Sequence, residues 1–222
     1  MSPATLALMV WGTVVGLDLI TGPQVMIARP VVAGTVAGWL VGDPVAGMTV
    51  GVVFECFALH VMPFGAARYA DYGIGAVVAV PVAAGAPGVL GIGIAAGWGL
   101  LVAEIGGWGI QRVREGNTRD VARHAAAIDA GDWPVIRAVH LRGIVRDGVR
   151  AAGLSLGGVA LGSVIRTLVS VEVGTAVLAG LATIGVALGT VSAAGWRLAA
   201  GARGGLVALG LGLVGGAVWV MA

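Results

Sequence analysis

Apolar residues along this chain fall in long continuous blocks that are separated by short polar or proline-containing stretches. The blocks cover residues 3–20, 24–41, 44–62, 73–110, 151–170, 173–195 and 204–221. Helices of soluble proteins repeat apolar residues every third or fourth position, whereas unbroken runs of about 18 or more are typical of membrane spans. The pattern therefore predicts an all-α, polytopic integral membrane protein with about seven apolar segments.

The second block is divided by Arg29 and Pro30. The twelve residues from Pro30 to Val41 would extend only about 18 Å as a helix, whereas the hydrocarbon core is about 30 Å thick. Proline suits the first position of a helix, and the Gly-Asp-Pro sequence at 42–44 would end it. We therefore interpret residues 24–43 as a broken or re-entrant element.

The next two blocks differ in how they are interrupted. Residues 44–62 are long enough to span the membrane and are closed by a proline at position 63. The block at 73–110 contains Pro81, Pro87 and several glycines, which predicts two segments with a break between them.

A polar segment at 111–150 separates the two halves of the chain and carries eight Arg and five Asp or Glu. Asn117-Thr118 and Asp132 have the character of helix N-caps. The excess of arginine places the segment in the cytoplasm by the positive-inside rule. The chain is thus predicted to be a single membrane domain, with N-terminal helices to 110, this cytoplasmic amphipathic segment, and C-terminal helices over 151–222.

Composition narrows the function classes. Only 11% of the residues are charged and 58% are hydrophobic, while 40 glycines indicate helices that pack on small residues. A single cysteine, Cys56, excludes an internal disulfide and a multi-cysteine metal site, and no nucleic-acid-binding pattern is present. The first 20 residues lack a basic region, which favours an uncleaved first span over a signal peptide.

Three arginines on the polar segment share one helical ridge at four-residue spacing: Arg142, Arg146 and Arg150. The simplest interpretation is contact with lipid headgroups. Docking of a soluble partner is the alternative.

Glu55 is the only formal charge between Asp43 and Arg68. A charged residue at mid-bilayer costs about 2.5–3.5 kcal/mol on insertion scales and usually faces a cavity or a partner. Glu55 could accept hydrogen bonds from a polar substrate or act as a gate. Alternatively, it is a protonated side chain satisfied by a neighbouring helix.

Gln24, Arg29 and Asp43 are the polar residues around the predicted break. Broken membrane helices expose backbone groups that transporters use to hold substrate, which makes this region a candidate site. The alternative is that Arg29 only stabilises the break by pairing with an acid such as Asp18 or Asp43.

The segment PQVMIARPVVAGTVAGWLVGDPVAGMTVGVVFECFALHVMPFGAARYAD, at 23–71, resembles the membrane subunit IIC of the mannose/sorbose family of bacterial sugar phosphotransferase systems. The family pattern is a Gln, Arg-Pro, a glycine-spaced helix that ends in Gly-Asp, a Glu twelve residues on, and Gly-Ala before an Asp. The segment HAAAIDAGDWPVIRAVH, at 124–140, is similar to the family's cytoplasmic stretch.

The resemblance implies a sugar permease of the bacterial inner membrane that works by an elevator-like motion. Its implied partners are a IID-type membrane subunit, in a trimer of heterodimers, and a cytoplasmic IIB-type subunit that phosphorylates the incoming sugar. No phosphoryl-carrying residue, metal or cofactor is expected in this chain itself. By residue-wise carry-over, Gln24, Glu55 and Asp71 contact the sugar, while Arg29, Pro30 and Asp43 support the broken helix.

This chain departs from the family at residues 69–72, where Tyr-Ala-Asp-Tyr replaces the usual Pro-Pro-Asp-Asp. Two further hypotheses from other function classes therefore stay open. One is a partner-independent transporter or facilitator for a small polar solute, in which Glu55 or Asp71 titrates. The other is a non-transporting membrane scaffold that packs through its glycine faces.

Overall fold

The computed structural model describes residues 2–59, 69–86 and 88–169 of the chain. Every regular element in those ranges is a helix. The helices are α1 (Pro3–Ile20), α2 (Pro30–Val41), α3 (Pro44–Ala58), α4 (Tyr72–Gly85), α5 (Val89–Arg123), α6 (Ala125–Asp129) and α7 (Trp133–Val169). The predicted all-α class is confirmed, as is the break inside the block 73–110.

Local cap residues set where several of these helices begin. The Asp43 carboxylate accepts a hydrogen bond from the Ala46 N–H at 2.9 Å and caps α3. Asp132 accepts one from the Val135 N–H at 3.3 Å at the start of α7, as its sequence context predicted. Pro30 is the first residue of α2, where its missing N–H costs no intrahelical bond.

Helices α2 and α3 form a tight hairpin because glycines line both contacting faces. A Cβ added to Gly47 would lie 2.5 Å from the Gly38 Cα, and one added to Gly34 would lie 2.9 Å from the Gly51 Cα. The turn between the helices uses Gly42 at φ +83°, in the left-handed region that favours glycine. The four-residue glycine stripes therefore pack α2 against α3 and hold the two helices in close contact.

The described helix in the block 44–62 is shorter than the block, whose residues 60–62 lie outside the described residues. Helix α3 contains 15 residues, about 22 Å, and is capped at Leu59. Of the described helices, three are long and apolar enough to cross a membrane, α1, α5 and α7, while α2, α3 and α4 are shorter apolar helices. The predicted number of about seven apolar segments was thus a slight overestimate for these ranges. The blocks at 173–195 and 204–221 lie outside the described residues.

The polar segment at 111–150 consists of the ends of two long helices. Helix α5 has 35 residues and α7 has 37, so each extends about 50–55 Å and exceeds the bilayer core. The predicted helix start at Asn117-Thr118 is wrong, because both residues lie inside α5, which continues to Arg123. Helix α6 connects the two ends, and we call residues 111–146 the polar hairpin.

The polar hairpin is held by an ion pair and a hydrogen bond between α5 and α7. Arg146 donates to the Asp120 carboxylate at 2.8 Å and also to the Asn117 side-chain oxygen. Of the ridge arginines, Arg142 is exposed, whereas Arg146 turns towards α5 and differs in environment from the prediction.

The described core centres on α4, which packs against α1, α2, α3, α5 and α7. Seven of its aliphatic residues are completely buried: Ile74, Ala76, Val77, Val78, Ala79, Val80 and Val82. The first turn of α4 is thereby fixed beside the break between α1 and α2, and this position defines the site described next.

Candidate functional site

The break between α1 and α2 is an ordered loop held by one carboxylate. Asp18, in the last turn of α1, is 3% exposed. Its two oxygens accept hydrogen bonds from the backbone N–H groups of Val25 at 2.8 Å and Ala28 at 3.1 Å. Gln24 and Met26 have φ values of 54° and 70°, an unusual backbone for non-glycine residues. We call residues 21–29 the break loop.

A cavity of about 650 Å³ opens beside the break loop. Among the described residues, it is lined by Asp18, Leu19, Ile20, Gln24, Met26, Ala28, Arg29, Pro30, Ala58, Tyr69, Ala70, Tyr72, Gly73 and Arg114. The lining combines charged, amide and phenolic groups with apolar surface, which is the composition of a pocket for a polar small molecule.

Arg29 and Glu55 form an ion pair at the start of α2. Glu55 also accepts a hydrogen bond from the Val31 N–H at 3.2 Å, so a residue of α3 caps α2. The Arg29 side chain is 46% exposed and lines the cavity, whereas Glu55 is 14% exposed and lies behind it. Arg29 does pair with an acid, as the alternative interpretation held, but that acid is Glu55 rather than Asp18 or Asp43.

We expect Glu55→Gln to weaken binding of the sugar that the family resemblance implies by about tenfold while the protein stays folded, because an amide keeps the Val31 bond but loses the charge that orients Arg29. Calorimetric titration of the purified complex measures the affinity, and Glu115→Gln, on an exposed pair with Arg119, is the matched control. Unchanged affinity in the Glu55 variant would remove this residue from the site.

Two tyrosines form one wall of the cavity. The Tyr69 hydroxyl accepts a hydrogen bond from Arg114 at 3.0 Å, and the Arg114 guanidinium carbon lies 5.0 Å from the ring centroid. Tyr72 stacks on Phe57 with centroids 6.3 Å apart. Both rings are therefore held by neighbours in defined orientations. These are the tyrosines of the Tyr-Ala-Asp-Tyr departure.

Asp71 lies behind this wall rather than on it. Its side chain is fully buried, and its oxygens accept from the Ile74 N–H at 3.1 Å and from Arg150 at 2.7 Å. Contact between Asp71 and a sugar hydroxyl stays a prediction, and it would require this pair to separate. The prediction that Arg150 contacts headgroups or a soluble partner is wrong, because its side chain is only 8% exposed.

The structure thus brings Gln24, Arg29 and Pro30 together at the cavity, with Glu55 behind them. Asp43 lies at the opposite end of α2, where it caps α3. Arg142 and Arg146 belong to the polar hairpin. Within the described ranges, no cluster of three or more His, Cys, Asp or Glu side chains is placed to hold a metal ion.

Three residues of this region have roles that the sequence did not predict. Asp18 and Asp147 are buried acids, and Arg114 reaches the cavity from α5. A carboxylate in the last turn of a helix, such as Asp18, is repelled by the negative end of the helix dipole. Its presence there was the available signal that the side chain binds groups outside the helix.

Comparisons with known proteins agree with the fold. A family model described as the sorbose-specific IIC component of the PTS system matches residues 4–195. Among curated proteins, none matches the chain by sequence. A solved structure described as "Structure of membrane protein" is similar with a TM-score of 0.66 and 20% identity, covering 100% of this chain and 96% of that one.

A second similar structure is a cryo-EM complex of the mannose transporter ManYZ with microcin E492. Its TM-score is 0.63 at 18% identity, and the alignment covers 100% of this chain and 94% of that chain. At these identities the two structures establish a shared fold.

Proposed function

We propose that the cavity beside the break loop is a sugar-binding site, because this chain belongs to the sorbose-specific IIC family of the phosphotransferase system. The chain is a membrane-embedded sugar-transport subunit. The observation that carries the proposal is the convergence of Gln24, Arg29 and two oriented tyrosines on one cavity at a helix break.

The chemistry of this cavity suits a sugar. Hydroxyl groups need donors and acceptors in fixed positions, which the Gln24 amide, the Arg29 guanidinium and the backbone of the break loop can supply. The apolar C–H faces of a pyranose or furanose ring pack against aromatic rings such as those of Tyr69 and Tyr72. A site of this kind orients the sugar through few groups, since most of the lining is apolar.

We infer that Glu55 contributes by orienting Arg29, whereas Asp71 supports the tyrosine wall from behind. A partner-independent transporter that couples to protons through Glu55 or Asp71 is less favoured. Each carboxylate is already paired with an arginine, Glu55 with Arg29 and Asp71 with Arg150.

IIC subunits of this family act with IID-type and IIB-type partners. We propose that this chain forms a trimer of heterodimers with a IID-type subunit in the bacterial inner membrane. A IIB-type subunit would then reach it from the cytoplasm and phosphorylate the sugar. Purification of the tagged chain from native membranes in mild detergent, with mass spectrometry of the associated chains, tests the assembly. A lone homo-oligomer would contradict it.

We expect Tyr69→Ala to weaken sugar binding about tenfold, because an aromatic contact is worth about 0.5–1.5 kcal/mol beyond the area it buries. Tyr69→Phe keeps the ring, loses only the hydroxyl bonded to Arg114, and should retain most of the affinity. Titration with mannose and with sorbose provides the measurement, with Trp133→Ala on the polar hairpin as control. Equal affinity in Tyr69→Ala and wild type would place the sugar elsewhere.

A further inference from the structure

We propose that Arg150 is a positioning residue for the cavity, although its side chain does not line it. Each of its donors goes to a different element. Nη2 donates to the Gly16 carbonyl of α1 at 3.1 Å, Nη1 to Asp71 at the start of α4 at 2.7 Å, and Nε to Asp147 of α7 at 2.7 Å. One guanidinium therefore ties three helices together beside the site.

A fourth contact extends this network to the break loop. The second oxygen of Asp147 accepts a hydrogen bond from the Thr21 hydroxyl at 2.8 Å. Thr21 is the residue at which α1 ends and the loop begins. The chain Thr21–Asp147–Arg150–Asp71 thus connects the first residue of the loop to the residue that caps α4. We call it the Arg150 network.

The two ends of the Arg150 network belong to opposite walls of the cavity. The loop contributes Gln24, Met26 and Ala28, while Ala70 and Tyr72 flank Asp71 directly. The walls also touch where Gly73 meets the loop, since a Cβ there would lie 2.6 Å from the Ala28 carbonyl oxygen. A shift of Asp71 relative to Thr21 would therefore change the width of the cavity.

Burial makes the network sensitive to donor geometry. Asp71 and Asp147 are completely buried, and the Arg150 side chain is 8% exposed, so bulk water does not replace a lost bond. The planar guanidinium offers donors in fixed directions, whereas a lysine ammonium is a single point charge that cannot serve three acceptors from one position. Gly16 keeps the space open, because a Cβ there would lie 3.3 Å from Arg150 Nη2.

The positioning role of Arg150 rests on the proposed function in one respect: it takes this cavity to be the sugar site. We expect Arg150→Lys to weaken binding of mannose or sorbose by the reconstituted complex about tenfold, the scale of coupling between groups in direct contact. Arg146→Lys, one turn earlier on α7, is the matched control, since Arg146 pairs with Asp120 and lines no part of the cavity. Its affinity should stay at the wild-type value.

A second variant separates positioning from general destabilisation. Thr21→Val removes only the hydroxyl bond to Asp147 and should weaken binding about threefold. In the double variant with Arg150→Lys the two effects should not add, because both act through one network. Fully additive effects, or equal losses of affinity in Arg150→Lys and Arg146→Lys, would overturn the proposal.

A measurement that needs no sugar can test the positioning role of Arg150 separately from the proposed function. In a Cys56→Ser background, an Ala28→Cys thiol reports the opening of the loop wall through its rate of alkylation. We expect Arg150→Lys, but not Arg146→Lys, to raise that rate severalfold. If labelling rises while neither sugar binds the wild type, the proposed function fails and the positioning role stands. Unchanged labelling overturns the positioning role even where sugar binds.

Discussion

Gly47→Ala is expected to cause the largest loss of stability of any single added methyl group on α3. A Cβ at this position would lie 2.5 Å from the Gly38 Cα, 2.6 Å from the Gly34 carbonyl oxygen and 2.8 Å from the Gly38 nitrogen. All three are backbone atoms, so no side chain can move aside. The helices must separate, which we expect to cost on the order of 3 kcal/mol.

Thermal melting of the detergent-purified protein, followed by circular dichroism, measures this effect. Gly153→Ala on α7 and Gly97→Ala on α5 are matched controls, because a Cβ at either position meets no atom of the described residues within 4 Å. Both should leave stability unchanged or slightly raised, since alanine favours helix. A melting temperature for Gly47→Ala equal to that of the controls would show that α2 and α3 do not depend on close approach.

Asp18→Asn should abolish most sugar binding, with an expected loss of about thirtyfold or more. Each oxygen of Asp18 accepts one backbone N–H of the break loop. An asparagine can accept only one of these and presents its NH₂ group to the other, which leaves a buried amide unsatisfied at a cost of about 1–3 kcal/mol. The loop would then lose the conformation that places Gln24 and Met26 at the cavity.

The control for this substitution is Asp132→Asn, the same chemical change at the N-cap of α7. Asp132 accepts a single backbone bond, and asparagine caps helices as well as aspartate does, so affinity and melting temperature should not change. Titration with sugar and limited proteolysis of the loop report the two consequences separately. Wild-type affinity in Asp18→Asn would mean that the loop geometry does not matter for binding.

Local signals in the sequence predicted much of the fold. Pro30 as the first residue of α2, the turn at Gly42, and the cap at Asp132 each depend on residues within one helical turn of one another. Such preferences act through backbone sterics and adjacent hydrogen bonds, and they are visible without tertiary context. The same holds for the four-residue glycine stripes, whose spacing identifies a close-packed helix face.

What the sequence did not reveal depends on contacts between distant residues. Glu55 caps α2 from 24 positions away, and Arg150 meets Asp71 across 79 positions. The ridge spacing of Arg142, Arg146 and Arg150 correctly placed them on one face, but it could not tell whether that face meets solvent or another helix. Composition likewise suggested a boundary near 110, although α5 continues through it because polar helix formers extend a helix into water.

Helices α2, α3 and α4 pack on one another and contain 12, 15 and 14 residues, so each is about 18–22 Å long. The hydrocarbon core of a bilayer is about 30 Å thick, so each of these helices is about one-third too short to cross it alone. A crossing through this part of the subunit must therefore be completed by a neighbouring element, and the backbone ends that meet inside it need hydrogen-bond partners from protein or water rather than lipid.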